Sequence, residues 1–426
     1  MIGLQFVTNI DGICQVKFSE NYQEDEELVK IFINDQIDKF KEYAEDMEIN
    51  EISIDIPGFS LSVQEASAYF GSVNIFNFLH PPKKKKISQY TLKYINAITE
   101  QGITPLHYAI KNDKFENAAF LINHGANVNL MDSKNQTALL FAADKDNYDL
   151  VELLISHGAL IEARDIDGYT PLFSAAANGN KRIAEILIKH GSDVNSKNEA
   201  LLTPLHCAAL SVSIELVQFL ISCGADVNAK SIYLITPLHF ASKRNRIEIA
   251  EILISHGADV SETNDDGLTA LHFAAYYNSI EMIGLLISKN SDLNAKGFIG
   301  VTPLHLAAKK NNRDALELLI LNGANINERD NLGDTPLHCA IKNCAIESII
   351  ILLKHGADIN AKNNSDKTPL HLAVENNLTE IAQILTQNGA NLTAKDLDGK
   401  TALNLKENNK DAKNEPISSS SWCKIC

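Results

Sequence analysis

The chain has 426 residues, 45% of them hydrophobic, and a formal net charge of −16. That balance argues against a general nucleic-acid binder, which needs clustered cations to neutralise phosphates, and self-repulsion of this size favours solubility. The cysteines (Cys14, Cys207, Cys223, Cys339, Cys344, Cys423 and Cys426) show no disulfide framework, the N-terminus has no basic-then-apolar signal pattern, and no apolar run approaches a membrane span.

Residues 1–20 alternate loosely around Asp11-Gly12, which predicts a hairpin. Residues 24–48 are acidic and read as a helix with Leu28, Ile31, Phe32, Ile37 and Phe40 on one side. Pro57-Gly58 ends that region, giving a mostly helical leader over 1–58. Residues 59–98 read as a cap and linker: Ala68–Leu79 matches the frame of Ala176–Leu187, a decayed copy of the repeat taken next. Pro81-Pro82 and Lys83–Lys86 follow. The lysines suit a solvated linker, and the alternatives are a nuclear-import signal, hence a nuclear regulator, or a contact with anionic lipid.

A threonine then opens the same stretch at Thr104, Thr137, Thr170, Thr203, Thr236, Thr269, Thr302, Thr335, Thr368 and Thr401, always thirty-three residues apart. Thr302-Pro303-Leu304-His305-Leu306-Ala307-Ala308 is one version. A fixed period of this length marks a repeat architecture. Threonine suits the N-cap, proline the first helical turn, and the alanines let a neighbouring helix approach. Leu316, Leu318, Leu319 and Ile320 then give a second helix an apolar side, and Gly323-Ala324-Asn325 stops it in a left-handed turn. Asn290 takes the glycine's place in one copy. Each unit therefore reads as turn, helix, turn, helix, turn.

These residues and their period resemble the ankyrin-repeat family, whose core is T-P-L-H-x-A. The resemblance implies an all-α solenoid over 99–406, with nine full copies and a C-terminal half copy. It also implies finger-like turns that form, with the inner helices, a concave protein-binding face. The sequence departs from the pattern at Leu140, Phe173 and Asn404, where the family has histidine. Leu201 and Leu234 replace the turn glycine, so those two fingers are expected to be shaped differently.

Residues 407–426 read as a disordered polar tail closing on Cys423-Lys424-Ile425-Cys426. Cysteine fourth from the end is the position that prenyltransferases modify, although Lys424 and Cys426 depart from that motif. Lipid on Cys423 would make the protein a peripheral membrane adaptor. Otherwise the expected location is the cytoplasm.

Of thirteen histidines, seven stand three residues after the repeat threonine and five just before the helix-ending stop. Equivalent residues are a whole repeat apart and cannot form one ligand shell, so they read as structural: the first set bonding neighbouring turns, the second facing helix-end carbonyls. No nucleophile, phosphate-loop or metal motif appears, so neither enzyme activity, cofactor nor metal is expected. The informative signal is variation at finger and inner-helix positions. Near the array's ends these are polar, as at Ser133, Lys134, Ser365 and Lys367. In the middle they become Ile232, Tyr233, Lys243, Arg244, Tyr276, Tyr277, Phe298, Ile299, Lys309 and Lys310. An apolar patch rimmed by charge marks a partner site. The competing expectation is that stacked fingers bury Ile235, Leu268 and Val301. The chain thus reads as a monomeric scaffold or adaptor that binds a protein partner, an acidic peptide or acidic surface.

Overall fold

The computed structural model describes residues 101–404, residues 95, 96 and 98, and four strand segments nearer the N-terminus. The chain divides into two compact units, Met1–Ala225 and Asp226–Cys426.

In the first unit, β1 (Gln5–Thr8) pairs antiparallel with β2 (Cys14–Lys17), giving the hairpin that Asp11-Gly12 predicts. A second hairpin pairs β3 (Ser53–Ile56) with β4 (Phe59–Ser62). Pro57-Gly58 is therefore a two-residue link between strands and not the end of a helical stretch. The alternation of apolar and polar residues on both sides of it fits strands. The expected helix over 24–48, the decayed copy at 68–79, Lys83–Lys86 and the tail with Cys423 lie outside the described residues.

The rest of the described chain is helical. The first unit carries α1 (Pro105–Lys111), α2 (Phe115–Asn123), α3 (Ala138–Asp144), α4 (Tyr148–Ser156), α5 (Pro171–Ala177), α6 (Lys181–Lys189), α7 (Pro204–Ala208) and α8 (Ile214–Ser222). The second carries α9 (Pro237–Lys243), α10 (Ile247–Ser255), α11 (Ala270–Tyr277), α12 (Ile280–Ser288), α13 (Pro303–Lys310), α14 (Arg313–Leu321), α15 (Pro336–Lys342), α16 (Ile346–Lys354), α17 (Pro369–Glu375) and α18 (Thr379–Gln387). Odd-numbered helices open each copy and even-numbered ones close it. Within each unit the openers pack on openers and the closers on closers, so the core is a strip between two helix layers. Leu304, Leu316 and Leu319 of one copy are fully buried there, and each such side chain stabilises by about 1.5–3 kcal/mol.

The threonine does what an N-cap should, and the histidine three residues on completes it. In α13, His305 Nδ1 accepts from the Thr302 backbone N–H at 3.2 Å, which leaves the ring proton on Nε2 to donate to Asp334 O at 3.1 Å. One ring thus caps its own helix and ties the next turn. All seven histidines of this set accept from their threonine N–H in the same way. Asn404 substitutes for histidine by offering Oδ1 to Thr401 N–H at 3.2 Å. Leucine and phenylalanine cannot, and the hydroxyls of Thr137 and Thr170 have no partner.

Asparagines do the corresponding work after the opening helices of the fifth, sixth and seventh copies. Asn245, Asn278 and Asn311 take left-handed backbone there, and their Oδ1 atoms accept from Met282, Ala315 and Ser348 N–H, capping the closing helix of the next copy. In the fourth copy Val212 stands at that place, and α7 stops early, at Ala208.

Candidate functional site

The candidate site lies in the second unit, and its geometry starts from the finger that precedes each opening helix. Neighbouring fingers are stitched by backbone bonds: Asp265 N–H to Tyr233 O (3.1 Å), Phe298 N–H to Asp266 O (2.6 Å), and Asn331 N–H to Ile299 O (2.9 Å). The fingertips therefore present, in order, Ile232-Tyr233, Asp265-Asp266, Phe298-Ile299 and Asn331-Leu332. Ile232, Tyr233 (61%) and Phe298 (79%) are exposed, while Ile299 is half-buried. The carboxylate pair between the aromatic tips was not among the residues singled out from sequence. Burial and the charge of Asp265 hold the Asp266 carboxyl above its ordinary range.

In three copies of this unit the last residue of a finger faces the end of its own helix. In the eighth copy the facing residues are Asp334 and Lys342, in the ninth Lys367 and Glu375, and both pairs are ion pairs. Asp334 is buried and also accepts from Asn363 Nδ2 at 2.9 Å. The same positions in the sixth copy hold Leu268 and Tyr276. Leu268, Phe273 and Leu306 form a buried cluster, against which Ile235, Val301, Tyr276 and Tyr277 pack. Leu268 is buried at 5% exposure, and Ile235 and Val301 are partly covered, as finger stacking predicts.

Tyr276 and Tyr277 are consequently half-buried, where the sequence reading places them in the open. The aromatic rings have an apolar cluster to lie on. The two rings meet edge to face, with centroids 5.0 Å apart. Lys243 Nζ lies 5.1 Å from the Tyr277 centroid, and Lys310 Nζ lies 4.4 Å from that of Tyr276. The result is a row, Lys243, Tyr277, Tyr276, Lys310, running across α9, α11 and α13. Arg244 is exposed beside it and Lys309 is half-buried. A shallow depression lined by Leu268, His272, Phe273, Tyr276, Tyr277 and Leu306 sits in this face and encloses no room for a small molecule.

Leu201 and Leu234 do not reshape their fingers. Both adopt the left-handed backbone of the glycine they replace, at φ 57° and 55°, and both close the turn with the same bond, to Asn198 O and Ser231 O.

The histidines sit in the framework. Burial pushes His272 down to about 4, and likewise His107. In the second set, His124, His157, His190 and His256 place Nδ1 2.7–2.9 Å from the carbonyl four residues back, as their position before the stop predicts. Among the described residues no group of histidine, cysteine and carboxylate side chains could hold a metal ion.

The family model described as ankyrin repeats (3 copies) matches residues 64–165, 159–231, 233–297 and 304–396. The chain belongs to the ankyrin-repeat family. Ankyrin repeats generally mediate protein–protein interaction, and the family is typically non-catalytic. No curated protein matches the chain. Among the described residues no helix is long and apolar enough to cross a membrane.

Proposed function

We propose that this ankyrin protein is a non-catalytic scaffold whose fifth to seventh copies bind an acidic segment of a partner protein. The observation that carries the reading is the Lys243, Tyr277, Tyr276, Lys310 row. In the eighth and ninth copies the residue equivalent to Lys243 and Tyr276 is ion-paired with the last residue of its own finger, a place that Ile235 and Leu268 fill in the fifth and sixth. Here the cations stand over aromatic rings, an arrangement worth about 0.5–1 kcal/mol per exposed contact. Lys243 and Lys310 bring two positive charges to this face, and an incoming carboxylate complements them. The two signs are also segregated, with cations at the helix ends and the Asp265-Asp266 pair on a fingertip. That polarity gives a charged segment one preferred direction of docking.

The test is capture of partners by the full chain compared with a Tyr276→Ala, Tyr277→Ala variant, identified by mass spectrometry. The rings pack on the outside of the Leu268, Phe273 and Leu306 cluster, so the variant is expected to melt at a lower temperature, keep its helical circular dichroism and lose the acidic partners. Equal capture by both chains would remove the reason for choosing this face.

A further inference from the structure

Leu234 stands where the other fingers of the second unit turn left-handed on Gly267, Gly300, Gly333, Asp366 or Gly399. Glycine has no Cβ to clash there, and aspartate can bond locally. Leucine has neither advantage. At the equivalent Gly267 and Gly300 an added Cβ would come as close as 2.9 Å to the backbone nitrogen of Phe298 or Asn331. The side chain is not repaid by burial, since Leu234 is 42% exposed, and Ile232 and Tyr233 beside it are more so. Three consecutive apolar residues thus face water on one fingertip, and one of them is held in a backbone that disfavours it. Such strain persists only where the surrounding bonds fix it, and it clusters at functional sites.

We infer that Leu234, with Ile232 and Tyr233, is an apolar docking tip for an acidic segment that carries apolar side chains. The inference rests on the binding face proposed above and adds Leu234 to it. Charge complementarity chooses the occupant. The ion pairs of the eighth and ninth copies put a finger's last residue against its helix end. Directly after Leu234 and Ile235, then, the fifth finger leads back to Lys243, and exposed Arg244 follows it. A ligand matching both features places apolar side chains on the tip and carboxylates at the helix end.

The experiment selects binders from a library of random displayed peptides on the immobilised full chain. The affinity of an enriched peptide is then measured by fluorescence anisotropy. Enriched peptides are expected to combine acidic with aliphatic or aromatic residues. Leu234→Gly is expected to raise the apparent melting temperature by about 2 °C, because left-handed strain is relieved, and to raise Kd about tenfold. Leu234→Asn tolerates the same backbone and should raise Kd as much without loss of melting temperature. A fall in melting temperature on Leu234→Gly would make the leucine a packing residue and overturn the inference, as would an unchanged Kd. If the Tyr276→Ala, Tyr277→Ala chain loses the peptide while Leu234→Gly keeps it, this inference alone fails. A library that enriches only basic peptides, or none, removes the acidic-segment reading with it.

Discussion

At the scale of single residues, the histidines show how a titratable side chain becomes framework. His272 is fully buried, accepts from Thr269 N–H at 3.1 Å and approaches Val301 O at 3.1 Å, so only the neutral ring suits both contacts. Its pKa is lowered from 6.5 to about 4, chiefly by burial. A depressed histidine pKa means that the unfolded chain binds the proton first. Stability from this residue is therefore full above pH 6.5 and lost as pH falls towards 4, by about 3 kcal/mol in all. Urea unfolding followed from pH 7 to 4.5 should show a falling midpoint. In His272→Leu, the residue type that stands naturally at Leu140, the midpoint should be lower at pH 7 and its acid slope shallower. An unchanged slope would mean that other groups control acid unfolding. These roles were legible in the sequence because the threonine-to-histidine spacing repeats seven times. The conformation of Leu201 and Leu234 was not, because a leucine carries no local signal for left-handed backbone. Only the bonds closing the turn and tying adjacent fingers within each unit hold it there.

At the scale of the repeat element, the residue ending a finger and the residue ending its helix behave as one exchangeable pair. The eighth copy fills it with Asp334 and Lys342 and adds Asn363 from the next finger; the sixth fills it with Leu268 and Tyr276, and the next finger offers Gly297 in place of asparagine. Leu268→Asp alone would bury a carboxylate without partners and is expected to cost about 3–5 kcal/mol. Adding Tyr276→Lys and Gly297→Asn should recover most of that loss, measured as the urea midpoint, while abolishing binding to the face. Failure of the triple variant to recover would show that the pair does not act independently of the aromatic cluster. The ten candidate residues fall on fingers and helix ends, where sequence variation points, but the finger-end partner Leu268 is not one of them. That variation could not say that Tyr276 and Tyr277 lie down on Leu268, Phe273 and Leu306, because that depends on three copies meeting, and periodicity describes only one.

At the scale of the whole molecule, the proposed face sets a local positive charge within a chain of net charge −16. An acidic segment is then repelled at long range and attracted only once Lys243, Arg244, Lys309 and Lys310 come within reach. Salt acts on these two effects in opposite directions. Screening with a Debye length of about 10 Å at 0.1 M weakens the distant repulsion more than the close, partly desolvated contacts. The association rate of an acidic peptide should therefore hold steady or rise between about 20 and 150 mM salt, while its dissociation rate climbs as the contact pairs weaken. Stopped-flow anisotropy separates the two rates. A basic partner recognised through Asp265 and Asp266 would behave in the opposite sense, because the chain's net charge would steer it in and salt would slow its arrival. A steep fall in association rate with salt would thus assign the surface to a cation-bearing ligand and displace the lysine–tyrosine row as its centre.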